Sequence, residues 1–158
     1  MIWRINYKMA DKITEEKYTV VDGTDLVLGR LGSNIAKRLL LGENIKIVNC
    51  KDIVILGKKK YLVERYKNKL SNKVVLQGPY YSRSPADIVK RSMRNMVPYK
   101  NQRGVEALKK LKCYNSVPST LLNVKKLTVE SAKLNIDSVL YYTKIIDICN
   151  TLGYNKSK

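Results

Sequence analysis

A chain of 158 residues is long enough for one domain with a real core, since a domain of this size buries roughly two thirds of the surface its unfolded form exposes. Its 44% hydrophobic content excludes a disordered basic tail, while a formal charge of +18 works against compactness through self-repulsion and makes a polyanionic partner physically expected. The chain has no histidine, which removes Ser-His and Cys-His nucleophile arrangements; Cys50, Cys113 and Cys149 lack any C-x-x-C pairing and read as reduced core thiols rather than metal ligands.

In chain order, MIWRINYKMADK carries no apolar signal stretch. Residues 1–17 are expected to be an N-terminal extension, with Met9 as a conventional start, and residues 18–158 the domain. The longest aliphatic run, Ile53 to Leu56, is far below the ~20 residues that span a bilayer, so no membrane partner is expected and the location read from the sequence is cytoplasmic. YTVVD, from Tyr18 to Asp22, has the composition of a strand, and Gly23 supplies a turn. GRLGSNIAKRLLLGEN follows, with Leu31, Ile35 and Leu39 spaced by four, Ala36 and Leu40 beside them, and Arg30, Asn34, Lys37 and Arg38 on the opposite side. That spacing predicts an amphipathic helix, which Gly42 ends. IKIVN and DIVIL are expected to be strands buried on both faces, and strand, helix and strand at this spacing imply a right-handed crossover in a parallel sheet.

Gly57 opens KKKYLVERYKNKL, in which Leu62, Tyr66 and Leu70 share one helical face. The chain then turns at Gly78-Pro79. Ser84 is expected to be the N-cap of the next helix, with Pro85 at its first position and Asp87 completing a capping box. Val89, Ser92, Met93, Met96 and Val97 form its apolar stripe, Lys90, Arg91 and Arg94 its other side, and Pro98 ends it. Gly104 to Lys112 is expected to be a short basic helix, LLNVKKLTVES to hold a strand, and TKIIDICNTLG to be a helix closed by Gly153. Without repeats or long linkers, this order describes a single α/β domain.

The charge is concentrated. Residues 51–115 carry a net charge of +13, against +2 before them and +3 after them, which an evenly solvated surface would not produce. Lys58, Lys59 and Lys60 fall at a helix start, where positive charge opposes the helix dipole unless an external anion is present. In GPYYSRS and at Tyr99-Lys100, tyrosines interleave with cations, a pattern suited to stacking on unpaired bases while contacting phosphate. Asp52, Glu64, Asp87 and Glu106 form no close acidic pair. LVLGRLGSN has only Gly29 and Gly32 of a phosphate-binding loop, so a tight turn with close packing competes there with a nucleotide site.

The ordered set DGTDLVLGRLGSNIAKRLLLGE, IVNCKDIVILGKK, GPYYSRSPADIVKRSMRNMVPYKNQRGVEALKKLKCY and SVPSTLLNV resembles the universal large-subunit ribosomal protein family L-thirteen. The resemblance is strong from about Tyr18 to Val124, and M-R-N-M-V-P followed by Gly104 is its most specific part. It implies a three-layer α/β/α domain with a four-stranded parallel sheet, a structural role on large-subunit rRNA in assembly, neighbouring large-subunit ribosomal proteins as contacts, one copy per ribosome, and neither catalysis, cofactor nor small-molecule substrate. Lacking the insertion of bacterial members and the long C-terminal helix of eukaryotic cytosolic ones, the chain resembles archaeal members. It departs from the family at Asn95, where glycine is usual.

The candidate rRNA contacts are Lys58, Lys59, Lys60, Arg83, Lys90, Arg91, Arg94, Lys100, Arg103, Lys109, Lys110 and Lys112, with Arg30 and Tyr99 added. Two other readings stand beside this one: an enzyme binding a nucleotide at Gly29 and Gly32, and a general basic DNA-binding protein.

Overall fold

A computed structural model describes residues 18–72, 78, 80–135 and 139–154. The expected extension at 1–17, Pro79 of the expected turn and the last four residues lie outside this set. Strand β1 (Tyr18–Asp22) leads into helix α1 (Leu28–Leu40) and then strand β2 (Asn44–Val48), which pairs with β1 in parallel, Thr19 opposite Ile45 and Val21 opposite Ile47. The four-residue spacing does what it predicts. Leu31, Ile35, Ala36 and Leu39 are buried, and each large side chain removed from water in this way contributes about 1.5–3 kcal/mol. Gly42 closes the helix at φ 99°, donating its N–H to the Leu39 carbonyl.

The next segment departs from expectation. Asn49, left-handed at φ 57°, opens a 3-10 turn at Cys50–Asp52 that carries the chain out of the parallel sheet. Strand β3 (Val54–Leu56) is therefore not a fully buried member of that sheet: Val54 is buried, but Leu56 is exposed. Helix α2 (Lys59–Ser71) buries Leu62 and Val63 and half-buries Tyr66 and Leu70.

Helix α3 (Pro85–Arg94) has Ser84 at its N-cap and Pro85 at its first position, but the capping box is not formed. The Asp87 carboxylate accepts instead from the Ser82 hydroxyl at 2.6 Å, and the Ala86 N–H donates to Asn115 Oδ1 at 2.8 Å, so a residue distant in sequence supplies the cap. The helix ends at Arg94, four residues before Pro98, and Asn95 has ordinary right-handed angles (φ −73°, ψ −14°). Ile88, Val89, Met93 and Val97 are buried; Met96, expected to join them, is 41% exposed.

Helix α4 (Gln102–Lys109) stops short of Lys112 because strand β4 (Leu111–Cys113) begins there. The open edge of β2 decides this: Ile45 donates its N–H to the Lys110 carbonyl, and Leu111 reaches full burial in the sheet. Strand β5 (Lys126–Leu127) falls in the segment expected to hold a strand and completes a four-stranded parallel sheet of order β4-β2-β1-β5. Strand β6 (Tyr142–Lys144) pairs antiparallel with β3, and helix α5 (Ile145–Thr151) follows, with Gly153 at φ 82°.

The main core lies between one sheet face and α1, α3, α4 and α5, centred on Leu31, Ile35, Ile45, Ile47 and Met93. The layer on the other face is thin. Val20 and Val48 are covered there by Leu121, Tyr18 and Tyr114, with a 3-10 turn at Ser119–Leu121. A third cluster joins α2 to α5 through Leu62, Ile148 and Leu152. Cys50, Cys113 and Cys149 are free thiols. A hydrogen bond with Cys113, together with burial, pushes the Cys50 thiol far up, and burial pushes Cys149 up to about 12, so neither supplies a thiolate near neutral pH.

Candidate nucleic-acid interface

Four groups of cations emerge from the fold. The first is the start of α2, where Lys58 is the N-cap and Lys59 and Lys60 are the first helical residues, all exposed. No side chain caps this end, and its first turn holds no acidic residue, so free backbone N–H groups and three ammonium groups share one helix terminus. Lys58 also lies 4.8 Å from the centre of the Tyr141 ring.

The second group surrounds a cleft of about 350 Å³ between the end of α2, residues 80–82 and α3. Lys90, Arg91 and Arg94 line it, together with Tyr80, Tyr81, Tyr66 and Lys69. The Arg91 guanidinium stacks 3.7 Å over the Tyr81 ring and donates to the Tyr80 carbonyl at 3.0 Å. Arg94 sits 5.1 Å over Tyr99. Burial pushes the Tyr66 phenol up, so it stays neutral and a hydrogen-bond donor.

The third group closes the end of α1. Arg103 donates to the Leu40 carbonyl at 3.2 Å and Lys110 to the Gly42 carbonyl at 3.1 Å, where cations complement the helix dipole. These two side chains therefore hold α4 to α1, while Lys109 beside them is exposed. The fourth group is a row across the thinly covered sheet face, where Lys112 lies opposite Lys46 and Lys126 occupies the same level two strands away. Lys46 sits 3.2 Å over the Tyr18 ring; burial, then the charge of Lys112, lowers its pKa.

The remaining candidates are separate. Arg30 is exposed on α1, Lys100 on the loop after α3, and Arg83 beside Gly153 at the end of α5. Sequence reasoning missed Lys69, Lys46 and Lys126. Tyr66 and Lys69 stand three apart on one helix, a spacing that brings side chains together, and Lys46 alternates with the inward Ile45 and Ile47 of a strand; both signals were present.

Gly29 and Gly32 do not form a loop. Both lie within α1, Gly29 open to solvent and Gly32 packed so closely on α3's extension that an added Cβ would stand 2.6 Å from Met96 Sδ. The close packing expected there is present, at Gly32, but the tight turn is not, and a helical backbone cannot wrap a phosphate as a glycine loop does. Among the described residues no group of three His, Cys, Asp or Glu side chains could hold a metal ion, and no helix is long and apolar enough to cross a membrane.

Residues 16–120 match the family described as Ribosomal protein L13. The chain is also similar to proteins named large ribosomal subunit protein uL13: 36% identical over 151 residues to that of Archaeoglobus fulgidus, covering 95% of this chain and 97% of the relative. The Methanopyrus kandleri protein is 34% identical, with 95% and 96% covered, and that of Methanococcoides burtonii 40% identical, with 85% and 97% covered.

Proposed function

The chain belongs to the ribosomal protein L13 family, and from that premise we propose that it is a non-enzymatic structural constituent of the cytoplasmic large ribosomal subunit, one copy per ribosome, that binds large-subunit rRNA and supports its assembly. The observation that carries the RNA contact is the start of α2. Three exposed lysines stand where they oppose the helix dipole, with no acidic residue in that turn to compensate, so an external anion resolves the conflict. Lys90 and Arg94 on α3, Lys100 and Tyr99 on the following loop, and Lys109 extend the contact to phosphates and unpaired bases. Arg91, Arg103 and Lys110 act there with part of their donor capacity already used within the protein. Arg30, Arg83 and Lys112 contribute from separate faces, which suits a protein lodged among several RNA segments.

Neighbouring large-subunit proteins complete the partners. Leu56, Leu140, Tyr141 and Tyr142 are exposed near the β3–β6 pair, an apolar and aromatic surface suited to a protein contact. The direct test is sedimentation of the tagged protein from its own cells at low salt. Comigration with large subunits is expected, and migration apart from them would overturn the assignment.

A further inference from the structure

The cleft beside α3 has features that a phosphate-binding surface does not need. Phosphate contacts along an RNA backbone require only exposed cations, yet here three tyrosines and several cations line an open cleft of about 350 Å³, near the lower end of the ~300–1,000 Å³ typical of small-ligand pockets. That space suits one nucleotide and is too small for a duplex. Its walls are held in place: Arg91 stacks on Tyr81 and bonds the Tyr80 carbonyl, while Ser82 donates to Asp87 at 2.6 Å. Tyr80 lines the cleft and is 69% exposed, so much of its surface is accessible to a ligand.

We propose that this cleft receives a single unpaired nucleotide extruded from an RNA strand, its base stacked on Tyr80 and its phosphate held by Lys69, Lys90 or Arg94. The inference rests on the reading of the protein as an RNA binder and adds the class of ligand. A stacked base gains from any aromatic face without regard to its identity, and cations at the rim provide for the phosphate. Asp87 supplies a charged acceptor in the cleft. Its carboxylate already holds the Ser82 hydroxyl and has a second oxygen for an exocyclic amino group on the base edge, a group that guanine, adenine and cytosine have and uracil lacks.

The test uses the full-length protein and short RNA hairpins that are either fully paired or carry one bulged nucleotide, in four versions. Fluorescence anisotropy at fixed salt reads affinity, and 2-aminopurine at the bulge reads stacking by quenching. The wild type is expected to prefer bulged hairpins by about ten-fold, the size of one base stacked on an aromatic ring, and to quench the probe. Tyr80→Ala, at an exposed position, is expected to abolish both effects while paired-hairpin affinity stays the same; Tyr80→Phe retains them. Equal affinity for bulged and paired hairpins would overturn the inference and leave RNA binding standing. Failure to bind either hairpin would overturn the underlying reading. Binding of free AMP, GMP, CMP or UMP as tight as the bulged hairpin would assign the cleft to free nucleotides and overturn the RNA-borne form.

Discussion

The two ends of α2 lie about 18 Å apart and handle positive charge in opposite ways. At its start, Lys58, Lys59 and Lys60 project from an uncapped turn without an acidic residue. At its end, Tyr66 and Lys69 fold into a cleft whose other wall, Arg91 on Tyr81, is already stacked and hydrogen-bonded. At one end positive charge opposes the helix's own dipole. At the other the cations and rings are already held by contacts within the protein. Basic residues of one short segment thus divide by the partners the fold has already given them, and net charge alone does not show the division.

Four variants break or sharpen this contrast. The largest effect is expected at Gly104, where an added Cβ would collide with the backbone carbonyl of Pro98. Gly104→Ala forces the loop between α3 and α4 to move and is expected to destabilise the protein by about 3 kcal/mol in chemical denaturation, loosening the Leu108 side of the cleft while the start of α2 is unaffected. Arg91→Ala removes a charged donor from the Tyr80 carbonyl and the stack on Tyr81, at a partly exposed position; about 1 kcal/mol of stability is expected to go, with faster proteolysis at residues 80–82.

Lys58→Glu, Lys59→Glu and Lys60→Glu together are expected to stabilise the free protein, by up to about 1 kcal/mol at low salt and less at high salt, while weakening RNA binding. A loss of thermal stability in this triple variant would end the claim that the start of α2 is strained without its partner. Gly32→Ala is the smallest: the intruded atom belongs to the flexible, 41% exposed Met96, which can swing aside, and alanine's better helix propensity offsets the crowding, so stability is expected to change by no more than about 0.5 kcal/mol, with Met96→Ala removing the crowding.

Much of the fold was legible because periodicity and burial agree in α1, β1 and β2. Leu31, Ile35 and Leu39 announce a buried helical face, and the structure gives them one. What was not legible depends on contacts distant in sequence. Leu111 and Lys112 look like the end of a basic helix until the open edge of β2 is known, and Asn115 gives no local sign that it caps α3. Asp87 stood at a capping-box position, but Ser82 offered its carboxylate a nearer donor. Among the candidate contacts, the exposed lysines of α2 were readable from charge and position. The internal roles of Arg103 and Lys110 were not, because the carbonyls they reach lie more than sixty residues away.

The salt dependence of binding to purified large-subunit rRNA tests the central claim most directly. Removing one lysine that neutralises a phosphate should reduce the slope of log affinity against log salt by roughly 0.7–0.9, so Lys58→Ala, Lys59→Ala and Lys60→Ala together should reduce it by about two to three units with the fold intact. An unchanged slope in the triple variant would remove the start of α2 from the interface and contradict the account.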